Sequence, residues 1–172
     1  MPVIWRPQMS TGNDLIDLDH KYLLALFNSI ELALSKPELL HYLPLFFRQL
    51  LDYTKEHFGR EERLQLKIDY PGYMEHKLLH QGIVTKLEAL YAKVQEELGH
   101  LDADPTGDTG HPTDDPAAEP TNDLPPPADA AALRQRLETD VLALAREWVI
   151  DHVVKADRAM RPYLATHPRN FA

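Results

Sequence analysis

Two pairs of side chains able to bind a metal ion lie at helical spacing in the middle of the chain. His57 and Glu61 are four residues apart, and so are His76 and His80. On an α-helix this separation puts both members of a pair on one face, about one turn apart. Between the pairs, Lys67 to Pro71 ends in a proline that suits the first position of a new helix and not a helix interior. The chain is therefore expected to reverse there. An antiparallel helix pair then brings four ligand-type side chains to one end. Imidazole ligands suit iron, copper, zinc and nickel, and ligand type alone does not choose among them.

Four helices are needed to build such a site, and the apolar periodicity supplies them. Ile16, His20, Leu23, Phe27, Ile30 and Leu34 recur at spacings of three and four, which predicts a first helix over about 17–35. Asp14 or Asp17 is the expected cap, and Ile4 and Trp5 are expected to anchor an irregular N-terminal arm. Leu43, Phe47, Leu50, Thr54, His57, Glu61 and Leu64 mark the inner face of a second helix, over about 38–66. Tyr73, His76, His80, Ile83, Leu87, Leu90 and Val94 mark a third, over about 71–98, with Gly99 as its expected stop. A fourth helix, over about 129–158, carries Leu133, Leu137, Val141, Leu144, Trp148 and His152 on one face, and Pro162 ends or kinks its tail. The fold class is all-α, an up-down-up-down antiparallel four-helix bundle forming one domain over 1–172. In that topology the start of helix one, the end of helix two, the start of helix three and the end of helix four share one end of the bundle. His20, His57, Glu61, His76, His80, His152 and Asp157 then meet there.

Taken singly, each of these residues has a plainer reading, since a lone His on an apolar helix face is more often a hydrogen-bonded core residue. Jointly they do not, because unpaired buried polar groups cost roughly 1–3 kcal/mol each. The set exceeds the needs of one ion and suits two, with the carboxylates bridging at about 3.5–4 Å separation. Asp157 fits worst. It follows His152 by five residues, about 140° round an α-helix, and Ala156 holds the better position. Glu38/His41 and Glu97/His100 also sit three apart, but near the far end and without inward carboxylates to complete a second site, so they read as surface.

Composition narrows the alternatives. The chain has no cysteine, which excludes thiolate metal sites, iron–sulfur clusters and disulfides. It has no basic patch with interleaved aromatics for nucleic acid, no apolar run of about 18–20 residues for a membrane, and no secretory h-region in its first residues. A cytoplasmic monomer is expected. Of the net charge of −9, the stretch from Gly99 to Leu133 carries nearly all, in seven Asp and one Glu with no Lys or Arg. Its Pro, Asp, Gly and Thr over about 100–129 predict a disordered acidic insert. It should leave the bundle about 28 Å of helix away from His80. It could serve a protein partner.

The segments IDLDHK (16–21), HFGREE (57–62), YPGYMEHKLLH (70–80) and WVIDHVVKAD (148–157) resemble the hemerythrin family, specifically the single-domain bacterial hemerythrins. The likeness covers everything except about 100–130, and a connection this long between helices three and four departs from typical relatives. The resemblance implies reversible O2 binding at a non-haem di-iron centre. His76, His80 and His152 would hold one iron, and His20 and His57 the other. Glu61, Asp157 and an oxo or hydroxo group would bridge them, leaving one position open for O2. Leu23, Ile83 and Trp148 are the expected walls of a dry O2 pocket. Storage, delivery and sensing remain open, and nitric-oxide binding or iron handling could use the same ligands. A di-iron oxidase or peroxidase fits less well, because bundle enzymes that activate O2 use a carboxylate-rich set.

Overall fold

The first boundary is set by Asn13, whose side chain accepts hydrogen bonds from the N–H groups of Leu15 (3.0 Å) and Ile16 (3.1 Å). Helix α1 runs Asp14–Ser35. The expected caps have other partners. Asp14 is paired with Arg169, and the buried Asp17 accepts from the Ser10 hydroxyl and from both the N–H and hydroxyl of Thr11. Those bonds hold the N-terminal arm down. Further out, Val3 and Asn28 exchange two hydrogen bonds, at 2.8 and 3.0 Å. Val3 and Trp5 pack against the core, while Ile4, expected as an anchor, is 69% exposed. Successive side chains of an extended strand point opposite ways, so two of the three can face inward and Ile4 cannot.

A 3₁₀ helix, Pro37–Tyr42, precedes α2, which runs Leu43–Lys67. The α-helix thus starts later than Glu38. Pro44 has no N–H and its ring excludes a preceding carbonyl, so it is tolerated only in the first turn. At the reversal Asp69 adopts φ 49°, a left-handed conformation that a short polar side chain tolerates. Gly72 leaves room for the Tyr70 ring, which would have to shift for a Cβ that would lie 2.8 Å from it. Helix α3 runs Tyr73–Leu101, so Pro71 lies in the turn, and Gly99 falls inside the helix without stopping it. Helix α4, Ala128–Arg146, changes register into a π-helix over Glu147–Ala156. A 3₁₀ turn, Asp157–Met160, and a short α5, Arg161–Leu164, follow, with Pro162 in the first turn of α5.

The structure, a computed structural model, describes residues 2–101 and 128–172. The expected acidic insert lies, over 102–127, outside the described residues. The fold is an all-α four-helix bundle in which α1 packs on α2 and α4, and α3 packs on the same two neighbours. No helix among the described residues is long and apolar enough to cross a membrane.

Among the described residues, two apolar clusters fill the bundle. The larger contains Leu23, Phe27, Phe47, Leu50, Ile83, Leu87, Leu137 and Trp148 among others. The smaller is Ile16, Leu64, Ile68, Met160 and Leu164, with Tyr70 and Phe171 against it. Ile16 lies one turn before His20, Leu64 about one turn after Glu61, and Met160 about one turn after Asp157. The small cluster therefore caps the layer of His and carboxylates, and the large one floors it. Water is excluded on both sides.

Candidate metal centre

All seven residues singled out by spacing come together in this layer. His20, His57, Glu61, His76, His80, His152 and Asp157 are each at most 3% exposed. Among the described residues, two groups of side chains lie close enough to hold an ion: Glu61 with His76, His80 and His152, and Glu61 with His20 and His57. The carboxylate oxygens divide the histidines the same way. Glu61 Oε1 lies 2.7 Å from His76 Nε2 and 3.7 Å from His80 Nε2, whereas Oε2 faces His57 Nε2 at 3.5 Å. Asp157 Oδ1 lies 3.1 Å from both His76 Nε2 and His152 Nε2, and Oδ2 lies 3.1 Å from His20 Nε2. Each carboxylate thus turns one oxygen toward a three-histidine set and the other toward a two-histidine set.

The donor set fits metal ions better than it fits itself. Both nitrogens of His20, both oxygens of Asp157, His57 Nε2, His76 Nε2 and Glu61 Oε2 are buried without a hydrogen-bond partner. Their neighbours are close but wrongly angled, and all of these atoms except His20 Nδ1, on the far side of its ring, face the two groups of ligand-type side chains instead of pairing. His80 Nε2 and His152 Nε2 face each other at 3.1 Å. Five such side chains in an apolar bundle would cost roughly 1–3 kcal/mol each if nothing met their lone pairs.

Charge points the same way. Burial would raise Glu61, but its contacts with His76 and His80 outweigh that and hold it well below the usual carboxylate range. Burial and the neighbouring Glu61 would raise Asp157, yet His152, His20 and His76 hold it below that range too. Both acids are therefore anionic at neutral pH. Burial lowers His152 to about 4, whereas for His76 burial loses to the Asp157 and Glu61 contacts, which push it up to about 10. Metal binding at neutral pH must displace that His76 proton.

The π-helix resolves the awkward spacing of Asp157. Its backbone N–H donates to the His152 carbonyl, five residues back. With i→i+5 bonding, the fifth residue occupies the place that the fourth holds on an α-helix. The residues of Glu147–Ala156 are thereby wound so that His152 and Asp157 share a face.

Two residues invisible to ligand spacing hold the ligands in position. Asp19 is 7% exposed, and its Oδ2 lies 3.2 Å from His57 Nδ1. Tyr53 donates to its other oxygen at 2.7 Å, and Arg60 Nε donates to Oδ2 at 2.9 Å. Burial would raise Asp19, but His57, Arg60 and Tyr53 together hold it below the usual range. Glu62 Oε1 lies 3.0 Å from His80 Nδ1, with Lys77 3.2 Å from its other oxygen. Phe58 stacks on the His80 ring, with centroids 3.8 Å apart. A carboxylate on Nδ1 keeps the proton there and leaves Nε2 as the lone-pair donor facing the centre. Asp19 and Glu62 directly precede or follow a ligand in sequence, and only that adjacency hints at them. Asp19→Asn is expected to lower metal affinity about 10–100-fold without unfolding the bundle, measured by competition with a chelator.

The three expected pocket residues are buried in the large cluster: Leu23 at 0%, Ile83 at 5% and Trp148 at 1% exposure. Trp148 stands edge-on to His20 with ring centroids 5.9 Å apart. Ile83 also lines a small hollow against His152. His41, expected at the surface, is exposed and lies against Tyr42.

The family model "Hemerythrin HHE cation binding domain" matches residues 11–164. Among relatives, a bacteriohemerythrin of Campylobacter jejuni (strain NCTC 11168) is 29% identical over 82 residues, 48% of this chain and 62% of that protein. One of Stenotrophomonas maltophilia (strain R551-3) is 25% identical over 85 residues, 49% of this chain and 55% of that protein. One of Pseudomonas aeruginosa (strain LESB58) is 26% identical over 99 residues, 56% of this chain and 64% of that protein. Each match spans less than two thirds of the relative's own length. No solved structure gives a significant match. With the family model covering nearly the whole chain, this protein belongs to the hemerythrin family.

Proposed function

We propose that the chain binds O2 reversibly at a non-haem di-iron centre. His76, His80 and His152 would hold one iron, His20 and His57 the other, and Glu61 and Asp157 would serve both. The observation that carries this reading is the split of the two carboxylates, one oxygen of each toward the three-histidine set and the other toward the two-histidine set. The two irons would supply the electrons that O2 binding needs and recover them on release.

The chain's own residues set the conditions for that exchange. Five imidazoles would fill most positions of two irons, and the two-histidine set would offer its iron fewer protein ligands than the three-histidine set. Asp19 and Glu62 fix His57 and His80 in the tautomer that presents Nε2. Trp148, Leu23 and Ile83, all buried, line the floor side of the layer with apolar surface. The histidine-rich set also favours binding over turnover, since oxygen-activating bundle enzymes rely on more carboxylates.

The test is optical. Iron-loaded, reduced protein is expected to develop a new visible absorption in O2 and to lose it under argon, through repeated cycles. A protein that retains only zinc, or a colour change that never reverses, overturns the reading, because zinc has no redox chemistry to offer O2.

A further inference from the structure

On the outer side of Asp19 lies a cavity of about 250 Å³ between α1, α2 and the C-terminal tail. Its floor is apolar, formed by Ile16, Leu64 and Phe171. Arg60, Arg63 and Lys67 line it from one face of α2, at successive spacings of three and four. Drug-sized ligands fill cavities of about 300–1,000 Å³, so the occupant of this one is small.

The cations are not equally committed. Lys67 Nζ donates to the main-chain oxygen of Ala172 at 2.6 Å. Arg60 spends Nε on Asp19 and Nη1 on Glu56, at 2.9 and 3.4 Å, which leaves its remaining amino group. Arg63 is exposed and has no hydrogen-bond or ion-pair partner among the described residues. Asp19, the side-chain carboxylate lining the cavity, is already engaged by Tyr53 on one oxygen and by His57 and Arg60 on the other, and makes no contact with Arg63 among the described residues. An unmatched guanidinium above an apolar floor selects a single negative charge on an apolar body. A phosphate or a dicarboxylate would leave the floor uncovered.

We propose that this cavity binds a small organic monocarboxylate, with its charge between Arg63 and Arg60 and its apolar body on Leu64, Ile16 and Phe171. Because Arg60 also holds Asp19, and Asp19 holds His57, occupancy redistributes the hydrogen bonds that orient a ligand of the two-histidine set. The cavity is thereby an effector site for the metal centre. The effector half of this statement rests on the metal-centre reading, and the binding half does not.

The probe is octanoate, with 1-octanol as its uncharged counterpart, titrated calorimetrically into the full chain as purified, with and without added metal. Octanoate is expected to bind at least about tenfold more tightly than 1-octanol, and Arg63→Ala is expected to erase that preference. Arg63 is exposed, so the variant should keep its helical circular dichroism. Leu15→Trp, at the cavity wall, is expected to block octanoate while leaving Arg63 in place. No octanoate binding, or binding that Arg63→Ala leaves unchanged, overturns the site. In a second arm, octanoate is expected to change the rate at which a chelator strips the metal by about twofold or more. An unchanged rate with octanoate bound overturns the effector role. A protein that never retains metal would sink the O2 reading and leave the calorimetric result standing.

Discussion

Asp157→Ala is expected to lower metal affinity by more than about 100-fold and to leave the purified protein with less than half the metal of its parent. Asp157, like Glu61, has an oxygen against each histidine set, at 3.1 Å to His76 and His152 on one side and to His20 on the other. Removing it deletes a ligand from both sets and leaves Glu61 as the sole bridge. His41→Ala is the matched control. His41 is exposed, beyond the opposite end of the core, and its loss should leave metal content within error. Metal analysis and metal-dependent thermal unfolding check both variants. Equal metal loss in the two would show that the metals lie elsewhere.

The second large effect concerns winding. Deleting Ala156 shortens the His152–Asp157 interval to four residues, the spacing that an ordinary α-helix places on one face. The π-helix can then relax to α with both ligands still facing inward, and metal binding is expected to survive. Deleting Ala143 instead falls within α4, before the π-helix. It rotates everything after it by about 100° and is expected to abolish metal binding. Chelator competition on the two variants decides the matter. If the Ala156 deletion is as damaging as the Ala143 deletion, the π register is not what brings Asp157 to the site.

That contrast also marks how far the sequence could be read. Six of the seven ligand-type residues follow the α-helical period of an apolar face, and four antiparallel helices send them to one end. A bundle is what such a pattern stabilises. Asp157 does not follow the period, because the winding changes at Glu147–Ala156 and no local propensity announces a π-helix. Asp19 and Glu62 were illegible for another reason. They touch ligands on neighbouring helices, at His57 and His80, and cross-helix contacts leave no one-turn signature. The cap of α1 was ambiguous because Asn13, Asp14 and Asp17 are all good cap residues, and only the position of the first helical turn selects Asn13. Ile4 and Trp5 were expected to anchor the arm together, but an extended strand turns adjacent side chains opposite ways.

The most direct measurement is anomalous diffraction at the iron absorption edge from crystals of the iron-loaded protein. Two peaks are predicted, about 3.5–4 Å apart, one among His76, His80 and His152 and the other between His20 and His57, with Glu61 and Asp157 reaching both. A single peak, or two peaks with either carboxylate touching only one of them, would contradict the account.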